Sequence, residues 1–262
     1  MTARRAVVAL AVAPVLAGCG GGGGGSASPE TVTSAAAKSQ RAGSLQADFT
    51  ISGSAAKGTG TGTFNTGADN SGRSTLNLEV NRRVNAVDTI VTGNVLYLRS
   101  RVFAQAGIAG PKDWLSVDLR GLARQGGVAS SLANVSPTPT SALAYLRGVK
   151  DVKKVGTETV AGAETTHYRV TSDLQRAAAR SKGSAKQSIE SAMRLTGRKT
   201  LPMDAWVDDH GYLRKVTWAQ QASAGPGAKI SMVLHDFGAP VKIEPPSGKV
   251  IDLTQRLSGG SG

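Results

Sequence analysis

A single cysteine, Cys19, stands in 262 residues, so no disulfide can close within the chain. Phe, Trp and Tyr together make up 4%, which leaves the core to Val, Leu, Ile and Ala and predicts smooth, aliphatic inner surfaces. The three histidines, His167, His210 and His235, lie far apart and share no metal-ligand spacing. Neither a Gly-x-Ser-x-Gly nucleophile turn nor a phosphate-binding loop occurs. Asp208 and Asp209 are adjacent, and adjacent strand residues point to opposite faces, so they read as a polar turn rather than an acid–base pair. With no nucleophile–base constellation in view, the chain reads as a non-enzyme that needs no cofactor and no metal. The apolar run Ala6–Ala17 is shorter than the ~20 residues a bilayer-spanning helix requires. Acidic residues are also scarce: 18 against 31 Lys and Arg, a formal charge of +13. Such a field favours anionic lipid head groups or wall polymers, or simply keeps the chain soluble. No nucleic-acid-binding motif, such as an aromatic–basic strand, occurs.

What is present starts at the N-terminus. Arg4 and Arg5, the apolar run and then Leu16-Ala17-Gly18-Cys19 have the layout of a secretory signal with small residues at the cut. Leu-Ala-Gly-Cys resembles the bacterial lipobox. The resemblance implies that residues 1–18 are removed and that Cys19 becomes a diacylglyceryl-modified first residue, an anchor to the membrane. Removing residues 1–18 takes away two arginines and leaves +11. Gly20–Gly25 and Ser26-Ala27-Ser28 then read as a flexible tether, so that residues 19–28 join the anchor to a domain of residues 29–262.

Pro29–Ala42 predicts a helix capped by Ser28, with Glu30 in its first turn. Period-two alternation predicts strands at Leu45–Ser52, Thr59–Asn65, Ser74–Val80, Val84–Thr92, Val95–Arg99 and Trp114–Leu119. Gly93-Asn94 reads as a tight turn. Gly58, Gly60 and Gly62 share one face of their strand, which signals a bend or something packed close against the backbone. Leu119–Val135 is rich in Gly, Ser and Ala and only weakly helical. Thr138–Arg147 reads as a short helix, Val152–Val160 and Thr165–Ser172 as strands, and Leu174–Leu195 as a basic helix that Gly183 interrupts. Met203–Val207, Tyr212–Gln220 and Lys229–Phe237 follow as strands, the first two joined at Asp208-Asp209-His210-Gly211, and the proline-bearing tail reads as extended. The spacing predicts a meandering antiparallel sheet rather than alternating β and α units.

Three segments carry a further resemblance: Gly162–Val170, Leu201–Asp208 with Gly211 and Arg214, and His235-Asp236-Phe237-Gly238-Ala239-Pro240-Val241 with Pro245 and Pro246. In this order they resemble the LppX/LprG lipoproteins of actinobacteria. The resemblance implies an α+β fold like that of the LolA and LolB carriers. In it a single strongly curved antiparallel β-sheet, a half-barrel, carries helices on its concave side and encloses a hydrophobic cavity. It further implies a lipid-binding domain over residues 29–262 that holds acyl chains of a membrane lipid or glycolipid and carries them across the cell envelope, with a lipid exporter as partner. The setting would be the extracytoplasmic face of the cell membrane.

Alternation marks candidate cavity residues as Phe49 and Ile51, Leu76 and Leu78, and Val95 and Tyr97, each pair on one strand face. On the last of these strands Leu96 and Leu98 are equally apolar, so its inward face stays open. The alternative reading is a non-enzymatic sensory or protein-interaction module on the outer face of the cytoplasmic membrane.

Overall fold

The computed structural model describes residues 27–54, 57–67, 71–80, 82–119, 138–220 and 227–254. Cys19, the glycine tether and the stretch 120–137 lie outside the described residues. In chain order the elements are α1 (Pro29–Arg41), β1 (Ser44–Gly53), β2 (Lys57–Asn65), β3 (Gly72–Val80), β4 (Arg83–Thr92), β5 (Val95–Ser100), α2 (Arg101–Gln105), β6 (Trp114–Asp118), α3 (Pro139–Leu146), β7 (Val149–Val160), β8 (Ala163–Asp173), α4 (Leu174–Ala179), α5 (Gly183–Thr196), β9 (Thr200–Asp208), β10 (Leu213–Gln220), β11 (Ala228–His235) and β12 (Val250–Asp252). The strands form one curved, unclosed sheet in the order β12-β6-β5-β4-β3-β2-β1-β11-β10-β9-β8-β7. Every pairing is antiparallel except β12 with β6.

Local chemistry explains most of the boundaries. Gly93 and Asn94 both sit at positive φ, 59° and 67°, the geometry of a two-residue turn whose twist matches its flanking strands. Ser28 precedes α1 in extended conformation without a side-chain cap bond, and Pro29 supplies the preset φ at the first helical position. The basic helix is split: α4 ends at Ala179, and Gly183 at φ 56° opens α5. Two elements go beyond the sequence reading, the five-residue α2 and β12. The tail is extended, but its end adds a strand to β6. Trp114 N–H donates to Lys249 O at 2.9 Å, Leu253 N–H to Ser116 O at 2.9 Å, and Asp118 N–H to Thr254 Oγ1 at 3.1 Å.

α1 is fixed by its C-terminal turn. The buried Ser39 Oγ accepts from Leu213 N–H at 2.9 Å, Lys38 Nζ donates to His210 O, and the Lys38 ammonium lies 4.6 Å from the centre of the Tyr212 ring. α3 and α4 pack on β8, whereas α5 packs chiefly on α3 and α4. Arg147 and Arg180 lock this layer together, each donating to the other's carbonyl, while Arg147 also reaches Gln40 of α1. The core beneath these helices contains Val32, Leu45, Leu143, Leu146, Ile189, Leu213, Met232 and Leu234. No helix among the described residues is long and apolar enough to cross a membrane.

Candidate functional site

Register decides which side chains share the helix-covered face. Phe49 lies opposite Gly60, Gly60 opposite Leu76, and Leu76 opposite Val87. One step along, Ile51, Gly58, Leu78 and Asn85 form the next row. Phe49, Ile51, Leu76 and Leu78 therefore share the inner face, and on the other side of β1 they continue into Met232 and Ile230.

Val95 and Tyr97 do not join them. The register pairs Leu96 with Val91 and Leu98 with Thr89, which places Leu96 and Leu98 on the inner face and turns Val95 and Tyr97 outward. The physical reason is visible on the same strand. Arg99, two residues beyond Tyr97, shares the outer face, where it pairs with Asp88 at 2.9 Å and stacks 4.5 Å from the centre of the Trp114 ring. Turning Tyr97 inward would bury that guanidinium against Leu76 and Leu115. The charge at Arg99 was the signal that separates two equally apolar faces.

The inner face is sealed at one end and open at the other. Along β1, Leu45 and Ala47 are buried, Phe49 is 4% exposed, and Ile51 is half-buried. On β3 Leu76 is 9% exposed and Leu78 half-buried. Phe49 meets Phe64 edge to face at 5.9 Å, closing the inner end.

Between the β1 and β3 rows, β2 presents glycine. A Cβ built on Gly60 would lie 2.4 Å from Thr75 O and 3.0 Å from both Leu76 Cα and Cδ1; one on Gly58 would lie 2.7 Å from Asn77 O and 2.9 Å from Leu78 Cδ2. The leucines thus lean across bare backbone, and the neighbouring strand comes closer than any side chain would allow.

A cleft of about 490 Å³ lies elsewhere, between α1 and the β8–β9 strands. Its walls include Thr31, Ser34, Lys38, Thr166, Asp208 and His210, and none of the six apolar candidates lines it. Ala35, Tyr168 and Val207 line it beside these polar groups, so the cleft is mixed in character.

On the outer face His167 stacks on Trp206 at 4.3 Å and bonds Asp204 at 2.8 Å, with Lys215 over the other side of the indole. The Trp206 indole N–H donates to Glu158 of β7, two strands away, so the cluster braces β7, β8, β9 and β10.

The crystal structure of LprF from Mycobacterium bovis superposes on the chain with a TM-score of 0.52 at 16% identity, covering 84% of this chain and 97% of LprF. The chain has the LppX/LprF fold. The Mycobacterium tuberculosis lipoprotein LppX itself aligns with a TM-score of 0.50 at 13% identity, over 81% of this chain and 98% of LppX. In sequence, an uncharacterized 31.2 kDa protein of Streptomyces griseus is 28% identical over 176 residues, 63% of this chain. The match spans 57% of that protein's length. No family model matches the sequence. The LppX/LprF fold accounts for the unclosed curved sheet and the helices gathered on its inner face.

Proposed function

We propose that this chain is an exported lipoprotein, anchored through an acylated Cys19, that holds acyl chains of a membrane lipid or glycolipid against the inner face of its sheet. The observation that carries the reading is the graded inner face, sealed at Leu45 and Phe64 and half open at Ile51 and Leu78, in a fold shared with lipoproteins. Phe49, Ile51, Leu76 and Leu78, with Leu96 and Leu98 in place of Val95 and Tyr97, form its wall. An acyl chain gains about 0.8 kcal/mol per buried methylene, so an aliphatic wall suffices without directed polar contacts. The chain carries its ligand rather than transforming it, and a lipid exporter or acceptor membrane takes delivery.

Leu78→Trp tests this wall. In a lipid-holding face the indole fills ligand space: co-purifying lipid, measured by mass spectrometry, should fall severalfold while the melting temperature stays near that of the parent. In a closed core the same change overpacks and costs about 1–3 kcal/mol, and that result sinks the carrier reading. A second expectation concerns the anchor. Cys19→Ser should move the protein from the membrane fraction to a salt-extractable form with its fold intact; retention in membranes washed at high salt would remove Cys19 from its role.

The cleft beside α1, lined by polar and apolar side chains together, favours a second reading, an interaction module that recognises a protein partner. Absence of co-purified lipid from the parent protein would turn the assignment that way.

A further inference from the structure

We infer that α5, with the residues flanking it, is a docking surface for an anionic membrane. The inference rests on the proposed work at a membrane and names the face that makes contact. From residue 173 to residue 199 the chain carries seven cations and two carboxylates, a net of +5 out of the total of +13 in about a tenth of its length. Both carboxylates are engaged: Asp173 caps α4 through the Arg176 N–H, and Glu190 pairs with Lys186 at 3.8 Å. Lys182, Lys186, Arg194 and Arg198 are all exposed, and Lys182 and Arg198 have no carboxylate partner among the described residues.

Placement turns this charge into a surface. On α5 the buried side is Ile189, with Ala185, Ala192 and Met193 half-buried, and Met193 and Ala185 pack against the core. At 100° per residue, Lys186, Glu190 and Arg194 lie about 60°, 100° and 140° round from Ile189, a stripe that winds from the flank of the buried side to the far side, and Lys182 and Arg198 continue its four-residue spacing beyond both helix ends. α5 is the outer layer of the helical side, stacked on α3 and α4 rather than on the sheet, so no described element covers the stripe. A fourteen-residue helix is about 21 Å long, enough to set several cations on head groups at once. Each contributes about 1 kcal/mol near an anionic bilayer. A flat lipid surface suits the stripe better than a protein partner, because its long Lys and Arg side chains offer charge without a large exposed apolar anchor among the side chains described between them.

The test uses the full chain carrying Cys19→Ser, so that no acyl anchor contributes, and two further variants on that background. One combines Lys182→Gln, Lys186→Gln, Arg194→Gln and Arg198→Gln. The other makes the same charge change elsewhere, at the exposed Lys57, Lys153, Lys154 and Lys229. Glutamine keeps helix propensity, and circular dichroism checks that both variants fold. Binding is read by co-sedimentation with vesicles of phosphatidylcholine alone and of phosphatidylcholine mixed equally with phosphatidylglycerol, at low and high salt. Any contribution of the N-terminal apolar run is common to all three proteins and persists on the neutral vesicles.

The stripe variant should lose on the order of a hundredfold in affinity for the anionic vesicles, with little change on the neutral ones, while the control variant loses at most a few-fold. Equal loss in both variants would assign the effect to net charge and overturn the inference, as would unchanged binding of the stripe variant. Loss of binding to soluble polyaspartate with vesicle binding retained would point to a polyanionic macromolecule and overturn it too. Lipid co-purifying with the parent chain is scored separately: its absence sinks the carrier reading and leaves the vesicle result standing.

Discussion

Gly60→Ala should lower the melting temperature by roughly 6–12 °C, taking about 3 kcal/mol of overpacking at 2–4 °C per kcal/mol for a domain of this size. The added methyl meets Thr75 O at 2.4 Å and Leu76 Cα at 3.0 Å, which are backbone atoms of the adjoining strand and cannot rotate away. The β2–β3 ladder must separate, and Leu76 must leave the inner face. Gly156→Ala in β7 is the matched comparison, since nothing lies within 4 Å of its missing Cβ. There the change should be neutral or stabilising by up to about 1 kcal/mol, because it narrows the unfolded ensemble without a clash. Thermal unfolding of the two variants side by side decides the point; equal shifts would mean that the close approach at β2 is not what the glycines serve.

Asp208→Ala should be as damaging, at about 3–5 kcal/mol. The Asp208 side chain is 1% exposed and accepts from Arg214 Nε at 2.6 Å and from Tyr212 N–H at 2.7 Å. Removing it strands a largely buried guanidinium and frees the turn that receives α1 through Lys38 and Ser39. Arg214 also lies over the Phe237 ring, which stacks on Tyr212, so the loss spreads to the start of the C-terminal tail. Asp209→Ala, one residue on, removes only an exposed contact to His210 and should change stability by less than about 0.5 kcal/mol. Chemical denaturation of the pair reads the difference; similar midpoints would refute the buried brace.

Much of the sheet was legible because one face had to be apolar and the other had to meet water. Leu45, Ala47, Phe49 and Ile51 alternate with Gln46, Asp48 and Thr50, and β1 follows with inward and outward sets as read. The Asp208–Gly211 hairpin was legible too: Asp208 closes β9 with its side chain buried, while Asp209 stands exposed in the turn. Burial itself was not legible. Nothing local to Asp208 announces that Arg214 folds back onto it, six residues on and across a turn. The strand β5 was legible but its inward face was not, for a different reason: Val95, Leu96, Tyr97 and Leu98 are apolar in succession, so alternation carries no information there, and only the charge at Arg99 breaks the symmetry. β12 was invisible because its three residues pair with a strand far earlier in the chain, and no periodicity develops in three residues.

The order of the strands carries one more consequence, for how the chain comes together. Apart from β12 with β6, each ladder joins strands consecutive in the chain, except the one between β1 and β11, where Gln46 lies opposite His235. Loop-closure entropy is therefore concentrated at a single central seam. A chain that folds from its N-terminus can complete β1 to β6 from local hairpins and must then wait, with the far edge of β1 unpaired and its apolar row uncovered, until β7 to β11 arrive. For the interval before that seam closes, the middle of the finished sheet is an open edge, the part of a β-protein most apt to pair with a stranger.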